Sequence, residues 1–450
     1  MKLFIALLVL LSPIQAISKS LIDSDSIAQQ KKQITIKALE SGIPVILNKI
    51  PNSAIIEIKV NFNFGLSNTT GSDRTTSDLV FNMMPYGSTT WPKEKIDQLT
   101  EKYASSLACG RGIEVSSCFL SSTNDYWQEL IVPFADTILN PSFEEKQFNL
   151  HKQRIIAALQ NQLQNPEVTV NESLNKIYYP KDHSYFLSIE EQLKDLQKIK
   201  RNELQASHKD ILTKGVTSIV VVSSLDEELL LKQLNQTFSK LKYNQDKIKK
   251  PNRPSNNDEK DFVVVDRKIP TAYMKLKFQL PGQFDYKEMI TSNLMIKVLD
   301  EMIGLEIRTR RSLSYAAYSY SIDYAEGIGV ISASTSKPKE TLEALAVVLD
   351  EIKTKKLSAK ALQEYKSVFT TNYYLGIETH ASLASSLSSS WAYFKSLDPF
   401  FDASMELERV NSEDVLKSAN THLKDFKLAV IFDSEKFDEK WAKEFLKKQK

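Results

Sequence analysis

The feature that most constrains this chain is a pattern used twice. The run AIIEIKVNFNFG (residues 54–65) is echoed by AYMKLKFQLPG (272–282), and TSIVVVSS (217–224) by FKLAVIFD (426–433), both at a spacing of about 210 residues. Two matched pairs in the same order point to one α+β unit repeated along the chain. Single hydrophobic cores stop growing at roughly 250–300 residues, so a chain of 450 residues accommodates two such units, each with its own core.

The first unit opens with QITIKAL, IPVILNKI and AIIEIKVNFNFG, in which β-branched and aromatic residues alternate with polar ones between Ser-Gly and Pro-Asn turn signals. An antiparallel meander over 33–65 is predicted. Helical spacing follows at Thr75–Met84 and at Lys93–Leu107, where Ile96, Leu99 and Tyr103 share a face. A strand pair fits 109–122, and a long helix runs from about Glu144 to Gln164, where Asn165-Pro166 stops it. The strand 217–224 precedes a helix beginning near Asp226. Residues 243–260, YNQDKIKKPNRPSNNDEK, are polar with two prolines and read as an exposed linker. The second unit then restarts with DFVVVDRK. The expected fold class is therefore α+β, with homologous domains over 33–242 and 261–450, each a mainly antiparallel sheet covered by helices.

Charge narrows the functions available. Fifty-eight basic and fifty-six acidic side chains leave a formal charge of +2, with no long single-sign block apart from Lys-rich stretches near 246–250 and the C-terminus, so nucleic acid is not an expected partner. The opening MKLFIALLVLLSPIQA places a Lys before an apolar run and a small residue, Ala16, at a cleavage position, so residues 1–16 read as a secretory signal peptide. The alternative is an uncleaved N-terminal anchor. No later segment approaches the roughly twenty apolar residues of a membrane span, and no Cys follows the run to accept a lipid. Membrane insertion after signal removal is not expected. Cys109 and Cys118, the two cysteines, are free to pair in an oxidising compartment or to remain buried thiols; a two-Cys zinc site would need further ligands, and the nearest histidine is His151.

Three segments carry a resemblance. TTSDLVFNMMPYGST (75–89) has the Met and the Gly-Ser that follow a metal-binding helix, LNPSFEEKQFNLHKQRIIAALQNQLQNPEV leads into the Tyr-Pro-x-x-His-x-Tyr turn of IYYPKDHSYFLS, and EIRTRRSLSYAAYSY (306–320) has the form Arg-x-x-x-x-Leu-x-Tyr. Nearly the whole mature chain thereby resembles the pitrilysin, or inverzincin, zinc metallopeptidases, in particular short bacterial members that lack the His-x-x-Glu-His motif. In active members, two His one helical turn apart hold zinc, the intervening Glu polarises the bound water, and a Glu roughly seventy to eighty residues downstream completes the ligand set.

Carried over residue by residue, the resemblance puts Asp78 at the first His, Phe81 at the general base and Asn82 at the second His, so no catalytic residue and no metal ligand set is expected in this chain. From Lys146 to Pro166, where the third ligand belongs, there is no Asp or Glu. A rescued site built on Asp78 and His151 falls short of the three protein ligands and the base that catalytic zinc needs. His183 reads as a hydrogen-bonded turn residue. In the second unit, the resemblance makes Arg308 and Tyr315, with Leu313 between them, substrate-binding groups: a guanidinium can fork onto a peptide carbonyl or carboxylate, and a phenol can donate to an oxyanion. Spacing alone would equally allow a surface cluster of Arg308, Arg310 and Arg311 beside a strand tyrosine.

The resemblance implies two domains facing each other across a chamber. It further implies a non-catalytic, substrate-binding subunit that pairs in the periplasm with a zinc-bearing homologue, the zinc residing in the partner, to act on peptides or unfolded segments. A stand-alone peptide-binding or scaffold protein is the alternative, and an autonomous metallopeptidase with unorthodox ligands a third reading.

Overall fold

The structure, a computed structural model, describes residues 29–180, 183–251 and 260–450. The signal peptide read over 1–16 lies outside the described residues, as does the linker stretch 252–259. Among the described residues no helix is long and apolar enough to cross a membrane.

Two mixed sheets organise the chain. The first has the order β1-β2-β6-β3-β5-β4, formed by β1 (Ile34–Ala38), β2 (Pro44–Lys49), β3 (Ile55–Phe62), β4 (Ser106–Gly110), β5 (Ser116–Thr123) and β6 (Val216–Ser223). The second has the order β7-β11-β8-β10-β9, from β7 (Phe262–Asp266), β8 (Ala272–Leu280), β9 (Ala316–Asp323), β10 (Gly327–Thr335) and β11 (Lys427–Phe432). With β1 set aside, the two orders superimpose strand for strand. In each, one parallel pair (β2 with β6, β7 with β11) is followed by antiparallel neighbours. The registers agree as well: a row of partners runs Val45, Ile219, Val60, Cys118, Cys109 across the first sheet and Phe262, Leu428, Leu276, Ile331, Ser319 across the second. The duplication read from four sequence runs is thus carried by the whole topology.

The meander predicted over 33–65 does not form. β1 pairs with β2, but β6 enters between β2 and β3. The reason lies in β6 itself: every residue of VTSIVVVS is buried, and a strand buried on both faces belongs in the middle of a sheet with neighbours at both edges.

Each sheet packs one face on helices of its own half. Leu79, Phe81, Trp127, Phe134, Leu204, Leu234 and Phe238 fill the first core; Leu294, Val298, Leu345, Leu349, Ala419 and Phe445 belong to the second. The opposite faces are covered by exchange. Helix Pro166–Tyr178, capped by Asn165 and opened by Pro166 at its first position, leaves the first half and lays Val170 and Leu174 on Val263, Val265, Ala429 and Ile431 of the second sheet. Helix His380–Phe394 returns the favour, placing Ala384 and Leu387 on Ile46, Val220 and Val222 of the first. Small residues let this second helix approach closely, and Asn61 donates to both Ser218 (3.2 Å) and Ser388 (3.0 Å) across the contact. Of the segment read as a linker, the described part is mostly exposed yet pinned, for Ile248 is buried with Ala325, Ala392 and Tyr393.

Cys109 and Cys118, directly opposite on β4 and β5, are joined as a disulfide. Of the two states left open by the sequence, the bonded one is that of chains held in oxidising compartments.

Candidate functional site

Helix Asp73–Met83 carries the three motif positions, and its local sequence decides where each side chain goes. Phe81 is fully buried, its ring edge-on to Phe62 at 5.5 Å and tilted on Phe64 at 6.2 Å. An aromatic at this point joins the core, and no group there can accept a proton. Asn82 turns its amide onto its own helix, donating to the carbonyl of Asp78 at 2.8 Å. Asp78 faces Arg111, whose Nε lies 3.3 Å from Oδ1. The acid at the first position thus already has a cation beside it.

His151 extends towards the same place from helix Glu145–Gln162. Its ring stands edge-on to Tyr86 at 5.0 Å, and its Nε2 is buried without a hydrogen-bond partner among the described residues. Burial pushes the imidazole down from its ordinary range, against the pull of the Asp78 carboxylate, while Arg154 pushes the same way as burial. The helix offers no carboxylate after Glu145. A zinc ion asks for three protein donors around an open position. A guanidinium-paired Asp78, a core phenyl ring and an inward-turned amide do not fit it.

Arg308 and Tyr315 sit apart from this cluster, in the second half. Arg308 lies on a one-turn π-helix, Gly304–Arg310, that extends helix Tyr286–Ile303; Tyr315 immediately precedes β9 and is 97% exposed. Glu306 binds Arg310 (3.1 Å) and Arg311 (2.7 Å). The Arg308 side chain is exposed and has no hydrogen bond or ion pair to any described residue, nor has that of Tyr315. The surface cluster that spacing alone allowed is therefore divided: Arg310 and Arg311 share Glu306, and Arg308 is left to face solvent. No direct bond links Arg308 or Tyr315 to Asp78, Phe81 or Asn82.

A third group was not legible in the sequence. Glu114, on the β4–β5 loop and 3% exposed, accepts hydrogen bonds from the Tyr185 and Tyr393 hydroxyls and from the Ala325 N–H at 3.0 Å. Tyr393 and Ala325 belong to the second half, so this carboxylate fastens the halves together. Burial raises its pKa above the ordinary carboxylate range against the three donors, and it raises both phenols too. Beside it His183, fully buried, accepts from the Tyr185 N–H at 3.2 Å and brings Nε2 within 3.4 Å of Glu326. His183 is thus a turn residue with its second nitrogen on the seam. Arg74 reaches the same turn, donating to the carbonyls of His183 and Phe186. Nothing local in the sequence marked Arg111 or Glu114, since their partners lie 33 to 279 positions away.

Residues 44–190 match the family model described as Insulinase (Peptidase family M16), and residues 198–369 match the one described as Peptidase M16 inactive domain. Among solved structures, a peptidase M16 inactive domain from Pseudomonas fluorescens is similar with a TM-score of 0.77 and 19% identity, over 88% of this chain and 97% of that one. A protease from Helicobacter pylori gives 0.75 and 14%, over 88% and 98%. The periplasmic protease PqqL from Escherichia coli gives 0.75 and 14% over 89% of this chain and 45% of its own, so this chain spans less than half of PqqL. At these identities the likeness is one of fold. No curated protein matches.

Proposed function

Because the chain belongs to the M16 (insulinase, or pitrilysin-type) peptidase family and is an inactive-type member of it, we propose that it serves as the substrate-binding, non-catalytic subunit of a two-chain zinc peptidase. The zinc and the general base come from a homologous partner, and this chain contributes Arg308 and Tyr315 across the chamber that the two chains enclose. The observation that carries the reading is an asymmetry. The metal position holds Phe81 in the core and Asp78 against Arg111, whereas Arg308 is exposed with no ion pair among the described residues and Tyr315 is 97% exposed. An unpaired guanidinium in solvent is ready to take a peptide carbonyl or carboxylate, and an exposed phenol to donate to an oxyanion.

The disulfide favours a site of action outside the cytoplasm, as does the leader-like N-terminus. One similar fold, PqqL, is described as periplasmic, and we place this chain in the same compartment.

The test is reconstitution. The chain is co-purified with a zinc-bearing M16 homologue from the same genome and turnover of a quenched peptide is followed. Arg308→Ala should lower kcat/KM of the pair by about tenfold or more, the size of losing one charge-stabilising contact. Unchanged turnover in that variant removes the role. Peptide binding with no hydrolysis in any pairing would instead favour a stand-alone binding protein.

A further inference from the structure

The two copies of the repeat differ at one edge. In the first sheet the outer side of β2 is covered by β1, antiparallel, with Val45 opposite Lys37 and Leu47 opposite Thr35. The equivalent strand β7 is the edge of the second sheet, and no described strand lies beyond it. Its backbone polarity can be read from its bonds to β11: the Asp261 carbonyl accepts from Leu428 N–H (2.9 Å) and Arg267 N–H donates to Phe432 (3.0 Å), so odd-numbered residues face β11. The N–H and C=O of a strand residue point to the same side, which leaves those of Phe262 and Val264 facing outward. They correspond to Val45 and Leu47, whose outward groups β1 engages.

Natural edges are blunted by proline, bulges or charges along the strand. β7 reads FVVVD, partly buried along Phe262–Val265, with none of these devices before Asp266. Beside it runs a groove of ≈ 790 Å³ between the strand and the C-terminal helix Glu439–Lys448, walled by Phe262, Val264 and Leu446. Its rim carries Lys260, Lys443, Lys447 and Lys450 against Asp261 and Glu439. Among the described residues, Asp261 is held by Lys427 and Lys450 and Glu439 by Lys443, while Lys260 and Lys447 make no ion pair.

We propose that the β7 edge is a docking site for an extended acidic segment of a partner polypeptide, which adds antiparallel to β7 as β1 adds to β2. Backbone hydrogen bonds to Phe262 and Val264 fix the register, an apolar side chain enters the groove, and alternate carboxylates meet the lysines. A second copy of this chain is disfavoured as occupant because pairing β7 with β7 brings two lysine rims together. The site is distinct from Arg308 and Tyr315 and independent of the peptidase reading.

The experiment uses the full chain and a fluorescein-labelled peptide Ser-Glu-Ser-Val-Ser-Glu-Ser, whose Glu and Val share one face of an extended strand, with a Lys/Val peptide in which both Glu are Lys as control. Anisotropy should report binding of the acidic peptide alone, weakening as salt screens the rim. Val264→Pro removes an outward N–H while sparing the pairing with β11, a position where edge strands tolerate proline, and should cost about tenfold or more in affinity. Lys447→Glu, which leaves the strand intact, should weaken binding severalfold and steepen it towards the Lys/Val peptide. Equal binding of both peptides, or an unaffected Val264→Pro, overturns the proposal. So does a concentration-dependent dimer abolished by Val264→Pro, which would make the occupant a second copy. A Val264 amide already protected from hydrogen exchange in the free monomer would make it a segment of the chain itself and overturn it too.

Discussion

Removing the carboxylate that fastens the halves should uncouple them. In Glu114→Ala, three donors lose their acceptor at once: the hydroxyls of Tyr185 and Tyr393 and the N–H of Ala325. A hydrogen bond to a charged group contributes about 1.5–3 kcal/mol, so three come to about 4.5–9 kcal/mol. Relief from burying the carboxylate offsets part of this, and about 3–5 kcal/mol remains, the range for breaking a buried polar pair from one side. With an m-value of about 3 kcal/mol/M, the urea midpoint should fall by about 1 M or more. Urea titration followed by circular dichroism and by tryptophan fluorescence is the assay, with Trp91 and Trp127 in the first half, Trp391 on the helix laid over the first sheet and Trp441 in the second half. The wild type should unfold with the two probes coincident, and the variant with them separated. Glu114→Gln adds a sign. A carboxyl whose folded pKa lies above 4.5 supports the fold below that pH and loses its contribution as pH rises through the folded value. Stability of the wild type should therefore decline on that account above about pH 4.5, and the amide should flatten the decline. A midpoint shift under about 0.2 M with coincident probes would refute the role given to Glu114.

Two further outcomes follow from buried side chains. Phe81→Ala should cost about 3–5 kcal/mol in a denaturant titration, against under about 1 kcal/mol for Asn82→Ala; a near-zero cost for Phe81 would mean that the ring faces an open site instead of the core. Lys277, 4% exposed and bonded to Asn175 of the exchanged helix, is pushed by burial to about 7, so the unfolded chain binds its proton more readily between about 7 and 10.5 and stability should rise with pH across that window. Lys277→Met should remove this slope in unfolding curves collected from about pH 7 to 10, and persistence of the slope would assign it elsewhere.

Much of the fold could be read from short apolar runs, because strand existence is a local property. The runs at 54–65, 217–224, 272–282 and 426–433 all became strands within three residues of their limits. Adjacency is not local: β6 joins β2 and β3 from a distance of over 150 residues, and its central place shows only in the structure, through its unbroken burial. The exchanged helices were missed for a chemical reason. PEVTVNESLNKIY shows few apolar residues and begins at a proline that reads as a stop, and HASLASSLSSSWAYF packs through Ala and Ser, which carry little helical signature. For the site, the resemblance located Asp78, Phe81 and Asn82, but what surrounds them, Arg111 and the phenyl cage, depends on strands folding back onto the helix.

The crossed helices make the chain indivisible in a way its repeated plan conceals. A protease cutting within 252–259 would sever the backbone yet leave the two fragments clasped, each holding a piece of the other. Either half expressed alone would present a wet, oily sheet face, Val263, Val265, Ala429 and Ile431 in one case and Ile46, Val220 and Val222 in the other, and should clump until its counterpart is supplied.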